Sequence, residues 1–302
     1  MSSRETRAEL GVIGGSGLYG LDGLEDVRET RVSTPYGEPS SAVVTGTLGG
    51  VGIAFLARHG RGHRLLPGEV PYRANVYALK SLGVRRILSV SAVGSLREDH
   101  APGDIVIPDQ IVDRTRGVRP ATFFGDGLVA HVPFADPYCA ALRPAVAAAV
   151  RGSSGAVVHE RGTYCCVEGP RFSSRAESHL YRSWGLDVIG MTALPEASLA
   201  REAQLCYAGM ALVTDYDCWR EDTEESVTAE AVSDVMRRNS ATAQAAVAEL
   251  VKRLPAPGAC GCANVLETSV LTHGGVAALA ARADTAWLVD GAAGTRRETG
   301  DE

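Results

Sequence analysis

The chain has 302 residues, 45% of them hydrophobic, and a mean hydropathy of −0.01, enough for one large core or two modest ones. Its net charge of −6 and pI near 5.7 leave no basic footprint for a polynucleotide, and no run reaches the roughly 18 apolar residues a membrane helix needs. The opening segment MSSRETRAELGVIGG has no long apolar core behind its charges, which predicts a cytoplasmic protein. In chain order, apolar or β-branched runs predict strands at Leu10–Ile13, Ala42–Thr45, Val51–Ala57, Arg86–Val90, Ile105–Ile107, Leu186–Ile189 and Cys206–Thr214. Helical spacing predicts helices over Arg73–Leu82, Tyr138–Val150, Ser174–Trp184 and Ala193–Ala203, then a long amphipathic one from Thr228 to Leu254, stopped by Pro255-Ala-Pro257-Gly258. A second C-terminal helix is expected across Asn264–Ala281. Near-continuous apolar strands separated by helices predict an α/β fold, a single domain with a central mixed β-sheet flanked by helices. The domain is expected to cover residues 8–254, with an extension over 255–290. The tail over 291–302, GAAGTRRETGDE, is too polar to offset the entropy of ordering and is expected to be disordered.

Seven cysteines, at 139, 165, 166, 206, 218, 260 and 262, predict reduced core thiols, an odd number without an export signal. Cys260-x-Cys262 stands alone in the sequence with His273 eleven residues on, so no metal is expected.

Six segments could carry chemistry. Ile13-Gly14-Gly15-Ser16-Gly17-Leu18-Tyr19-Gly20 runs a strand into a glycine-rich turn that can bring amides and a hydroxyl to an anion. Gly15-x-Gly17-x-x-Gly20 also matches the dinucleotide fingerprint, so an oxidoreductase or regulatory nucleotide-binding module stands as an alternative. Against it, Gly20 and Gly23 break the stretch where a crossover helix is required. Ala57-Arg58-His59-Gly60-Arg61-Gly62-His63 ends a strand in two guanidinium and two imidazole groups, and arginine's planar fork suits phosphate oxygens. A solvated, carboxylate-paired loop is the plainer explanation. Ser89-Val90-Ser91-Ala92-Val93-Gly94-Ser95 ends another strand in small and hydroxyl residues, which could equally cap a turn. Glu168-Gly-Pro170-Arg171-Phe172-Ser173-Ser174-Arg175-Ala-Glu177 gathers acids, arginines and an aromatic, either as a site or as a salt-bridged loop with a serine helix cap. Gly190-Met191-Thr192 precedes a helix opening near Pro195, where the methionine could simply fill core. Finally, Thr214-Asp215-Tyr216-Asp217 closes a long apolar strand with two carboxylates at spacing two, which face one side if extended and otherwise cap a helix.

Read together, GGSGL, TPYGEPS, ARHGRGH, GSLRE, PGDIVIPDQ, EGPRFSSRAES, GMTALPEASLARE and TDYDCW resemble the methylthioadenosine phosphorylase branch of the trimeric purine nucleoside phosphorylases, from about Gly11 to Leu254. The resemblance implies the fold shared with uridine phosphorylases. It implies a pentosyltransferase that uses inorganic phosphate as co-substrate, with no cofactor, to release adenine from 5′-methylthioadenosine. Related 5′-deoxy-5′-haloadenosines or purine nucleosides generally are the alternatives within the same chemistry, and a hydrolase using water is a further one. Carried over by position, Ser16, Arg58, His59, Ser91, Ala92 and Thr192 would hold phosphate, and Met191 would lie along the ribose. Phe172 and Ser173 would sit beside the purine, Asp215 would face N7 as general acid, and Asp217 the exocyclic amine. Val227, Val232 and a neighbouring subunit's His131 would meet the 5′ group. The resemblance further implies a homotrimer or a dimer of trimers, with small-molecule partners rather than nucleic acid or membrane. It also implies disulfides pairing Cys139 with Cys206 or Cys260 with Cys262.

Overall fold

A computed structural model of the chain describes residues 7–15, 23–220 and 229–289, with side chains described up to 220 and again from 240. In chain order the first elements are β1 (Leu10–Gly14), β2 (Glu25–Thr30), β3 (Val43–Leu48), β4 (Val51–Ala57), α1 (Tyr72–Ser81) and β5 (Arg86–Ser95), the apolar β1, β4 and β5 lying at the centre of the sheet. There follow β6 (Ile105–Val106), β7 (Gln110–Arg114), α2 (Leu142–Ser153), β8 (Val158–His159), β9 (Thr163–Val167), α3 (Arg175–Ser183), β10 (Val188–Gly190), α4 (Ala193–Glu202) and β11 (Cys206–Asp215). The helix α5 (Ala229–Val251), a 3-10 turn over Gly261–Thr268, α6 (Val276–Ala280) and a last 3-10 turn over Ala286–Leu288 complete the described chain.

The eleven strands among the described residues form one mixed sheet in the order β2-β3-β4-β1-β5-β10-β9-β7, with β11 on β5, then β6 and β8. Alternate residues of its central strands enter two separate cores, as the two-residue period of a strand requires. Ile13, Ala54, Leu56, Ile87 and Val213 point into one core with α1, α4 and the C-terminal extension. Leu10, Val12, Ile53, Phe55, Leu88 and Leu212 point into the other with α2 and α5. Both faces are therefore covered, which is why these strands read as unbroken apolar runs. Truncating one such side chain, Phe55→Ala for example, should cost about 3–5 kcal/mol.

Four strands escape the apolar patterning. β2, EDVRET, is an exposed antiparallel edge on β3, β8 has two residues, and β7 and β9 carry polar ends. The helix expected across Asn264–Ala281 is replaced by the 3-10 turn and the five-residue α6, because Gly274 and Gly275 between them take φ of +94° and +55°. Val265, Leu266, Leu279 and Leu288 of this extension lie in the first core. The expected tail over 291–302 lies outside the described residues.

Candidate active site

The sheet opens a cleft where β5 changes neighbours. One edge of β5 is paired with β1 through Ser89, and with β10 only from Gly94 onward. The segment Val90–Val93 between them has no strand on that side among the described residues, so Ser91 and Ala92 face a cavity of about 990 Å³. Arg58, His59, Ser91, Ala92, Phe172, Ser173, Met191, Thr192, Asp215 and Asp217 all line it. These residues come from the C-terminal ends of β4, β5, β10 and β11 and from the loop before α3.

At one end Arg58, 2% exposed, is fixed by a buried ion pair. Its Nε donates to Glu196 Oε2 at 2.8 Å, and Nη2 donates to Glu196 Oε1 at 3.0 Å and to Ser89 Oγ at 2.7 Å. Nη1 spends one hydrogen on Val90 O at 3.0 Å, leaving its second without a partner among the described residues. Burial opposes the charge, and the Glu196 carboxylate more than restores it, so the guanidinium pKa is raised. His59 pays the opposite consequence: burial, then the Arg58 charge, pushes its pKa down to about 4. Its Nδ1 lies 2.8 Å from Leu65 O, a carbonyl that can only accept, so Nδ1 carries the proton and the neutral ring offers Nε2 as an acceptor. His63 stacks on it at 4.4 Å. Tyr164, fully buried, brings its hydroxyl near Ser91 and Thr192 yet completes no hydrogen bond among the described residues.

At the other end β11 bulges between Val213 and Asp215, with Thr214 as the extra residue, which turns the strand's last side chains toward the cleft. Asp217 then begins a 3-10 turn at φ +50°. The two carboxylates meet through this turn rather than by facing one side of an extended strand: the Asp217 amide donates to Asp215 Oδ1 at 2.8 Å. Thr214 Oγ1 has one hydrogen and two contacts, Val93 O at 3.1 Å and Asp215 Oδ2 at 2.7 Å. Since the Val93 carbonyl only accepts, a proton on Asp215 Oδ2 satisfies both contacts. Burial raises the Asp215 pKa, and burial is also the main cause that brings Asp217 to about 6, with a smaller contribution from the neighbouring acid. The Ser178 hydroxyl donates to Asp217 Oδ2 at 2.5 Å. Gly94 makes this approach possible, because a Cβ there would stand 3.0 Å from Asp215 Oδ1 and 3.1 Å from Ile189.

Between the ends, Met191 packs where Gly169, at φ +73°, leaves space: a Cβ on Gly169 would lie 2.5 Å from the thioether sulfur. Phe172, 42% exposed, lies at the mouth, and Ser174 caps α3 in a capping box with Glu177. Arg171 belongs to an exposed ion pair with Glu177.

Ser16 and Val227 lie outside the described residues, as does the Val232 side chain. His131 does not line this chain's cavity; it is exposed, with its amide bonded to Ser269 O at 2.9 Å. The dinucleotide alternative fails on topology, since the next described strand after β1 is β2, an antiparallel edge strand on β3, whereas the fingerprint needs a parallel neighbour of β1 there. Two functional neighbours have no signal of their own in the sequence. Glu196 neutralises Arg58, and buried Arg119 donates to Glu168 Oε1, Met191 O and Leu194 O, each at 2.7 Å, pinning the walls of the cleft. The expectation of no metal rests on Cys260-x-Cys262 standing alone, and the fold brings Cys139 and Cys206 to it.

Residues 9–252 match the family model described as the phosphorylase superfamily. Over 263 residues the chain is 56% identical to an S-methyl-5′-thioadenosine phosphorylase of Geobacter sulfurreducens, covering 87% of this chain and 91% of the relative. An enzyme of the same name from Hyperthermus butylicus is 53% identical over 88% of this chain and 96% of its own length. Among solved structures, a methylthioadenosine phosphorylase from an Antarctic soil metagenomic library superposes with a TM-score of 0.86 at 47% identity, covering 94% and 99% of the two chains. The Schistosoma mansoni methylthioadenosine phosphorylase in complex with adenine gives 0.75 at 39% identity, covering 82% and 91%. On the match of most of its length and on these identities, the chain belongs to the phosphorylase superfamily.

Proposed function

We propose that the protein cleaves 5′-methylthioadenosine with inorganic phosphate, releasing adenine and 5-methylthioribose 1-phosphate. The observation that carries this reading is one cleft with a fixed cation at one end and, at the other, a half-buried carboxyl whose pKa desolvation raises. Cleaving an N-glycosidic bond builds positive charge on the sugar and negative charge on the purine, so catalysis needs help at both ends. Phosphate sits against Arg58, Ser91, Ala92, Thr192 and Ser16, with His59 Nε2 accepting a hydrogen from its protonated oxygen. A phosphate oxygen attacks C1′ as the bond to N9 breaks, and the phosphate charge stabilises the developing cation. Asp215 gives its proton to N7 as the electron pair moves onto the base. Asp217 accepts from the exocyclic amine, Phe172 and Ser173 flank the purine, and Met191 lies along the ribose.

The same reading makes Val227, Val232 and the partner's His131 the walls around the 5′ group, in a cytoplasmic homotrimer that needs no cofactor. The identities to enzymes named for this substrate support it. The test is phosphate-dependent adenine release from 5′-methylthio, 5′-halo, 5′-deoxy and unmodified adenosine, with inosine as control. The methylthio substrate should have the highest kcat/KM and inosine the lowest; equal rates for inosine would refute the assignment of the base site.

A further inference from the structure

Four cysteines that the cleft does not use meet at the opposite end of β11. Cys206 opens the strand, and Cys139 precedes α2 with its amide bonded to Tyr207 O at 2.8 Å. Cys260 and Cys262 flank the start of the 3-10 turn Gly261–Thr268. Their four sulfurs all lie within 4.8 Å of one another, Cys206 and Cys260 being 3.4 Å apart, and all four thiols are free. Cys139 and Cys262 are buried and the other two half-buried. Along an extended strand the cluster is about 30 Å from Asp215, too far to touch the reaction.

Thiols are weak donors and weak acceptors, so four of them gathered this tightly satisfy one another poorly. Around a tetrahedral Zn²⁺, by contrast, four thiolate sulfurs at about 2.3 Å from the metal stand about 3.8 Å from each other. The separations here straddle that value. We propose that Cys139, Cys206, Cys260 and Cys262 form a closed structural zinc site that staples the C-terminal extension to the start of β11 and to α2. Loading needs no oxidant: Zn²⁺ replaces the four thiol protons, giving a tetrathiolate of charge −2 and four H⁺. The surroundings answer that charge. Arg201 Nη1 donates to Cys262 Sγ at 3.8 Å, and the Ala141 and Leu142 amides at the head of α2 face the Cys139 sulfur. Spacing hides the site, since Cys206 and Cys260 are 54 residues apart.

The test uses the full-length protein purified without chelator. Metal analysis and native mass spectrometry should find about one zinc per chain, released as an organomercurial takes up the four thiolates. Cells grown on cobalt should yield protein with the thiolate-to-metal charge-transfer and d–d bands of a tetrahedral tetrathiolate. Cys206→Ser and Cys262→Ser should each lose the metal; where these variants fail to fold, the cobalt spectrum of the unaltered chain decides. Protein that is metal-free and takes up neither zinc nor cobalt overturns the proposal. So do thiols that titrate only after reduction, the signature of Cys139–Cys206 or Cys260–Cys262 disulfides.

Discussion

The two ends of the cleft hold charge in opposite ways. At the anion end, burial comes with a built-in counter-charge: Glu196, 1% exposed, grips Arg58 and keeps it cationic. At the base end Asp217 is buried and Asp215 half-buried, with no cation bonded to either in the hydrogen bonds of the described residues, so desolvation raises both pKa values and favours a proton on them. Burial therefore leaves a charge fixed where a partner is supplied and disfavours one where it is not. A glycosidic cleavage needs both outcomes within one pocket.

Breaking the base end should have the largest effect. Asp215→Ala should lower kcat by about 10²–10⁴, equivalent to about 3–5 kcal/mol of barrier, with little change in nucleoside KM; steady-state kinetics at saturating phosphate measures this. At the anion end Glu196→Gln leaves a buried guanidinium without its counter-charge. It should cost about 3–5 kcal/mol of stability in urea unfolding and raise the phosphate KM, whereas the nucleoside KM should stay nearly constant.

The carboxylate pair also predicts a pH response. Asp217 is an acid raised to about 6, so it ionises above that value and can then accept from the adenine amine. The nucleoside kcat/KM should fall about tenfold per unit below about pH 6, and Asp217→Asn should abolish that limb. The stability sign is the reverse. Because the folded-state pKa lies above the unfolded one, the stabilisation of the neutral form is lost as pH rises through about 6. The smallest expected effect is Tyr164→Phe, which removes a buried hydroxyl that makes no hydrogen bond among the described residues. Stability should change by no more than about 1 kcal/mol, while a rise in phosphate KM would place that hydroxyl on the anion.

Much of the cleft was legible because its residues follow apolar strands. Arg58, Ser91, Thr192 and Asp215 each stand where an unbroken hydrophobic run ends, the position at which an α/β sheet presents side chains to a ligand. The central strands were legible for the same reason. β2 was not, being an exposed polar edge, nor was β9, whose Thr163-Tyr-Cys-Cys-Val167 is a short run with a polar head and two cysteines at its centre. Glu196 reads as an ordinary helical acid within an amphipathic segment, and only the fold reveals that it faces Arg58, 138 residues away. Arg119 sits in a polar loop sequence that gives no hint of burial. The bulge at Thr214 is equally silent, since alternation along β11 predicts the wrong route by which Asp215 and Asp217 meet. Cys139, Cys206, Cys260 and Cys262 converge from three segments, and no local spacing announces it.

The central claim is that phosphate attacks the anomeric carbon while Asp215 protonates the base. Phosphorus NMR of the reaction with 5′-methylthioadenosine tests it most directly. One α-configured pentose 1-phosphate should accumulate for each adenine released, and no adenine should appear when phosphate is left out. Adenine formed at the same rate in phosphate-free buffer, with free 5-methylthioribose as the other product, would contradict the account.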